Sequence, residues 1–85
     1  MDFQKTDYDI AGTARYKTVI DGETIFIHIT HEAQEDDLKE GLTPDKQAKL
    51  AAIVTSRLLS GQLEQQPDKI GVLIDVILIK SGDLA

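Results

Sequence analysis

Cysteine is absent from the 85 residues. That removes disulfides, thiolate nucleophiles and cysteine-ligated zinc together, and it fits a reducing compartment. Histidine occurs only at 28 and 31. Basic residues are few, 9 against 15 acidic, for a formal charge of −6. Such a surface repels phosphate backbones and anionic bilayers, which argues against direct nucleic-acid or membrane-surface binding. No apolar run reaches membrane-spanning length, and no n-region, apolar h-region and cleavage site precede the domain. These absences predict a soluble cytoplasmic protein. The length fits one domain, residues 1–85, whose small core leaves a thin stability margin.

What the chain does have is one dominant apolar stretch. Between Lys69 and Lys80 lie ten residues, eight of them aliphatic and many β-branched, interrupted only by Gly71 and Asp75. This is the pattern of a strand buried on both faces. In a chain this short, such a strand belongs in the middle of the only sheet.

A hairpin is the clearest local signal. Asp21-Gly22 separates the β-rich runs Ala14–Ile20 and Glu23–Thr30, and Asp-Gly favours a type I′ turn because both central positions need positive φ. A two-residue loop fixes register. Ile20 then faces Glu23, Thr18 faces Ile25, Tyr16 faces Ile27 and Ala14 faces Ile29, which gives a largely apolar side. The other side pairs Val19 with Thr24, Lys17 with Phe26 and Arg15 with His28, and should be at least partly wet. Residues 1–13, anchored by Phe3, Tyr8 and Ile10, form an N-terminal arm or edge strand. Thr30 is a plausible N-cap for an acidic helix over His31–Glu40 that stops at Gly41. Thr43-Pro44-Asp45 starts a longer helix, Pro44–Ser60, ended by Gly61. Its stripe is Gln47, Leu50, Ala51, Val54 and Leu58. Residues 62–68 form a loop, and 81–85 a tail.

The order β-β-α-α-β predicts an α+β fold: a small, mainly antiparallel, three- or four-stranded sheet with two helices on one face. The last strand can lie antiparallel beside the first hairpin strand, the preferred placement, or parallel beside the second by a crossover. Two helices cover only one face. Leu73, Ile77 and Ile79, with Phe26 and Val19, are therefore expected to leave an apolar patch on the other. Such a patch of several hundred Å² usually marks an interaction site. Either the N-terminal arm or a second copy of the chain would cover it, and a homodimer through this sheet face is the favoured outcome.

The candidate chemistry is thin. His28 and His31 are split by a strand end and have no third ligand, unlike paired metalloprotease histidines on one helix. No metal or other cofactor is expected. Glu32, Glu35, Asp36, Asp37 and Glu40 give the first helix a carboxylate-rich face without the alternate-oxygen spacing of a calcium loop. Asp75 is the one charge inside the apolar strand, and a buried carboxylate needs a partner; Arg15, Lys17 and Arg57 are candidates, as is a position at a sheet edge or subunit boundary. No second group completes an acid–base pair, no nucleophile elbow surrounds any serine, and Gly41-Leu42-Thr43-Pro44 lacks the phosphate-loop pattern. A non-enzymatic protein is expected.

The run Tyr16–Ile20, Asp21-Gly22, Ile27-His28-Ile29-Thr30 and His31-Glu32-Ala33-Gln34-Glu35-Asp36, with Ser81-Gly82-Asp83-Leu84 near the end, resembles a family of small bacterial proteins known only as a domain of unknown function. Gln34 stands where that family usually has leucine. The resemblance implies an α+β fold and no activity. The expected function is a homodimeric protein–protein interaction module that uses Phe26, Leu73, Ile77 and Ile79. The alternative is an acidic inhibitor, or nucleic-acid mimic, that sets Glu32, Glu35, Asp36, Asp37 and Glu40 against a basic surface.

Overall fold

The Asp21-Gly22 turn folds as its chemistry requires. Asp21 has φ 51° and Gly22 φ 80°, the double positive φ of a type I′ loop. It joins β2 (Thr13–Ile20) to β3 (Glu23–Ile29) in the register expected from the loop length, from Ile20↔Glu23 to Ala14↔Ile29. The computed structural model describes residues 1–85. The other elements are β1 (Gln4–Ile10), α1 (His31–Asp37), α2 (Pro44–Ser60), β4 (Glu64–Pro67) and β5 (Leu73–Ile79).

The class is α+β, with a sheet of five strands rather than three or four, in the order β1-β2-β3-β5-β4. The N-terminal segment is a true edge strand antiparallel to β2. A further strand, β4, forms within the stretch expected to be a loop and runs antiparallel to β5. The sheet is mixed, because β5 lies parallel to β3. The crossover placement is thus adopted rather than the preferred antiparallel one. Its physical basis is that the chain after α2 enters β4, which runs opposite to β3, and the β4–β5 turn then reverses it, so β5 runs in the direction of β3.

Both helices pack on one face. The core consists of Ile27, Ile29, Ala33, Leu38, Leu50, Val54, Ile77, Ile79 and Leu84. Thr30 and Thr43 cap the helices by accepting hydrogen bonds from the Ala33 and Lys46 amides. Gly61 closes α2 in the left-handed region with φ 69°, where a Cβ would be strained. The first helix stops at Asp37, three residues short of expectation. Leu38 leaves helical geometry and turns into the core. Asp37 is itself buried, and its Oδ2 accepts hydrogen bonds from the Gly82 amide at 2.8 Å and the Leu84 amide at 3.4 Å. The expected tail is therefore a docked segment: Leu84 is fully buried, and Arg57 reaches Asp83 at 3.2 Å and the Leu78 carbonyl.

Candidate functional site

The face of the sheet away from the helices is closed by the sheet itself. β5 changes partner halfway: Ile77–Ile79 pair with Ile27–Ile29 of β3, whereas Leu73–Val76 pair with β4. At the other end of the sheet, β1 carries an irregularity. Lys5 and Asp9, four residues apart, pair with Tyr16 and Ala14, only two apart. Extra residues in one strand bend it and re-aim its side chains. The two ends of the sheet then meet. The Tyr8 hydroxyl donates to the Pro67 carbonyl at 2.7 Å, Lys69 pairs with Asp7, and Arg15 Nη1 lies 2.9 Å from Asp68 Oδ1.

Inside this closure the hairpin's expected polar pair, Arg15 and His28, is almost wholly buried. Arg15 Nε donates to His28 Nε2 at 3.0 Å. The guanidinium also stacks on Tyr8, 4.3 Å from the ring centre, and on Phe26, 4.5 Å away, and the Tyr8 and His28 rings lie 4.5 Å apart. Cations over aromatic faces are held by the ring quadrupole, more strongly when desolvated. Two buried donors, Arg15 Nη2 and His28 Nδ1, find no hydrogen-bond partner. His28 was expected on a wet surface; it is 0% exposed, because Tyr8 and the β4–β5 turn fold over it.

The environment sets the protonation states. Burial, then the Arg15 charge, pushes the His28 imidazole below its usual 6.5, opposed by Gln66 and Asp68. Burial raises the Tyr8 phenol despite the nearby guanidinium. Asp68 is held below 3.8 first by the Lys69 backbone amide and then by Arg15. A neutral histidine accepting from a permanent cation at Nε2 must carry its proton on Nδ1. The group is a cation-centred polar knot.

The expected interaction residues scatter. Ile77 and Ile79 are 0% exposed in the helix-covered core, not on the second face. The parallel register with Ile27 and Ile29 turns them toward the helices. Phe26 does lie on the second face, half-buried against Arg15. Leu73 is 58% exposed. Of the five carboxylates, Glu32, Glu35, Asp36 and Glu40 face solvent while Asp37 is turned inward. His31 is exposed and sits 2.7 Å from Glu35. Asp75 is exposed and accepts from Gln65 across the β4–β5 pair, a partner other than Arg15, Lys17 or Arg57. No group of three or more metal-ligating side chains comes together, and no helix is long and apolar enough to cross a membrane.

A different apolar surface takes the place of the expected one. The exposed large hydrophobic residues are Met1, Ile10, Val19, Leu59, Leu63, Ile70, Val72 and Leu73, so five of the eight fall between 59 and 73. They flank β4, the strand that ends the sheet order and has β5 as its only partner. Pro67 has no N–H, and Tyr8 takes its carbonyl, which leaves the outer edge of Glu64–Gln66 as unpaired backbone. Comparison with protein-family models, with curated proteins and with solved structures finds no match to this chain.

Proposed function

We propose that this chain is a non-enzymatic protein–protein interaction module that pairs with a second copy of itself through the β4 end of its sheet. The concentration of exposed apolar residues in 59–73 carries this reading. A free edge of backbone on a strand flanked in the chain by Leu63, Ile70, Val72 and Leu73 is a template for strand pairing. Antiparallel pairing of one short edge with its own copy satisfies a two-fold axis, where the same patch serves both partners. The contact lies at the sheet edge rather than on the sheet face, since the face is enclosed by Tyr8, Arg15 and the turn.

Light scattering behind size exclusion at low micromolar concentration tests the proposal. The expected mass is twice 9.4 kDa, returning to the monomer in Leu63→Glu and Leu73→Glu variants, with little dependence on salt. A monomeric wild type at all concentrations up to 100-fold higher would sink it.

A second reading draws on the four solvent-facing carboxylates of α1 and its following turn. They could dock on a basic surface of a partner protein, as an inhibitor or nucleic-acid mimic does. This binding would weaken steeply with ionic strength and would be lost in a Glu32→Gln, Glu35→Gln, Asp36→Asn variant, to which self-association is indifferent.

A further inference from the structure

We propose that the closure between β1 and the β4–β5 turn is a pH-operated clasp, shut while His28 is neutral and released when His28 becomes imidazolium. The geometry of the closed form favours one protonation state. His28 Nε2 is an acceptor for Arg15 Nε at 3.0 Å. A proton on that nitrogen removes the acceptor and sets a second cation against the guanidinium beside a ring that is 0% exposed. The step needs one solvent proton and breaks one hydrogen bond; no other group changes its covalent state.

The surroundings cannot absorb the new charge. From β2, Arg15 contacts the ring directly, and Lys17 is the next residue on the same face. From β1, Tyr8 offers an aromatic face, while its neighbour Asp7 is engaged by Lys69. From β4 comes only Gln66, which is uncharged. β5 sets Leu78 opposite the histidine. Gln66 and then Asp68 favour the charged ring, but Gln66 carries no charge and Arg15 already occupies Asp68. Burial and Arg15 outweigh it, so the neutral form persists in the closed state.

Opening solvates the ring, and the proton is then bound at ordinary affinity. Each pH unit below 6.5 therefore raises the open population about tenfold, until the closed form itself accepts the proton. What opens is defined by what the clasp joins: the contacts Tyr8–Pro67, Arg15–Asp68 and Asp7–Lys69 tie β1 and β2 to residues 67–69. None of them touches α2.

Amide hydrogen exchange on the full chain from pH 7.5 to 5.0, corrected for intrinsic rates, tests this. Protection of β1 and of residues 64–69 is expected to lie below that of Leu50 and Val54 in α2 at every pH, and to fall about tenfold per pH unit below 6.5. His28→Gln keeps a carbonyl acceptor for Arg15 and cannot titrate, so its β1 protection should be flat. His31→Gln should behave as wild type. Constant protection in the wild type, protection of β1 and 64–69 equal to that of α2, or a response that survives in His28→Gln would each overturn the clasp. If His28→Gln does not fold, the imidazole resonances of the wild type decide. A loss of protection that tracks His28 upholds the proposal, and one that tracks the exposed His31 ends it.

Discussion

Replacing Asp37 with alanine should unseat the C-terminal segment and lower stability by about 2 to 4 kcal/mol. The side chain is 9% exposed, and one oxygen, Oδ2, accepts from two backbone amides, Gly82 at 2.8 Å and Leu84 at 3.4 Å. Hydrogen bonds to a charged acceptor contribute about 1.5 to 3 kcal/mol each. The Leu84 bond, at 3.4 Å, is long and shares its acceptor, so it counts for well under that, about 0.5 to 1 kcal/mol, as a neutral bond does. Against a total of about 5 to 15 kcal/mol for ordinary domains, the loss is severe. With an m-value of about 1 kcal/mol per molar urea for a chain this small, the midpoint followed by far-ultraviolet circular dichroism should move down by at least about 2 M. Leu84→Ala, which empties a fully buried site, should cost about 2 to 5 kcal/mol by itself. The two changes act on one docked segment, so the double variant should lose clearly less than the sum. If Asp37→Ala costs under about 0.5 kcal/mol, the scale of an ordinary surface change, water replaces the carboxylate at both amides and the segment is held by Leu84 alone. Strict additivity would show that the carboxylate and the leucine are independent.

Tyr8→Phe removes the hydroxyl that reaches Pro67 at 2.7 Å and should cost about 1 kcal/mol in the same urea titration, with the exchange of residues 64–69 speeding up more than that of α2. Thr43→Ala deletes the cap on the Lys46 amide and should cost about 1 kcal/mol, whereas Thr43→Ser should be nearly silent. Gly22→Ala places a Cβ at φ 80° with open space around it, so backbone strain alone sets its cost, about 1 to 2 kcal/mol. Stability should also fall on acidification in two stages. The His28 imidazole is depressed in the fold, so the unfolded chain binds the extra proton, and stability declines as pH drops through 6.5. Asp68 is held below 3.8; its contribution is present above that value and disappears as pH falls through the depressed one. Urea midpoints at pH 7.5, 5.5 and 3 check both stages, and His28→Gln should lack the first.

The parts of the fold legible in the sequence are those governed by neighbours in the chain. Asp21-Gly22 dictated the hairpin and its register residue by residue, Thr30 and Thr43 dictated helix starts, and Gly61 a helix end. The Ala11-Gly12 turn between β1 and β2 was not legible as a hairpin, since alanine seldom takes the φ of 55° found here. Nor did Gln62–Asp68 look like a strand: glutamine and glutamate are poor β-formers, and β4 exists because β5 offers it a partner edge.

The placement of Ile77 and Ile79 shows why the candidate site itself was harder to see. A strand of unbroken aliphatic residues carries no label for which face meets the helices, and a register or orientation change exchanges the two sets. Parallel pairing of Ile77 with Ile27 sends the expected contact residues inward. The same choice leaves the first half of β5 to pair with β4, which carries the 67–69 turn across the sheet to Tyr8 and Arg15. A buried Arg15–His28 pair then follows from topology, although the hairpin register had already set those two residues side by side. Nothing local announced that this side would be roofed, because the roof is built from residues about 40 and 50 positions further along. The two outcomes are one: the fold that hides Ile77 is the fold that shelters the cation and leaves Leu63 and Leu73 beside an unpaired strand.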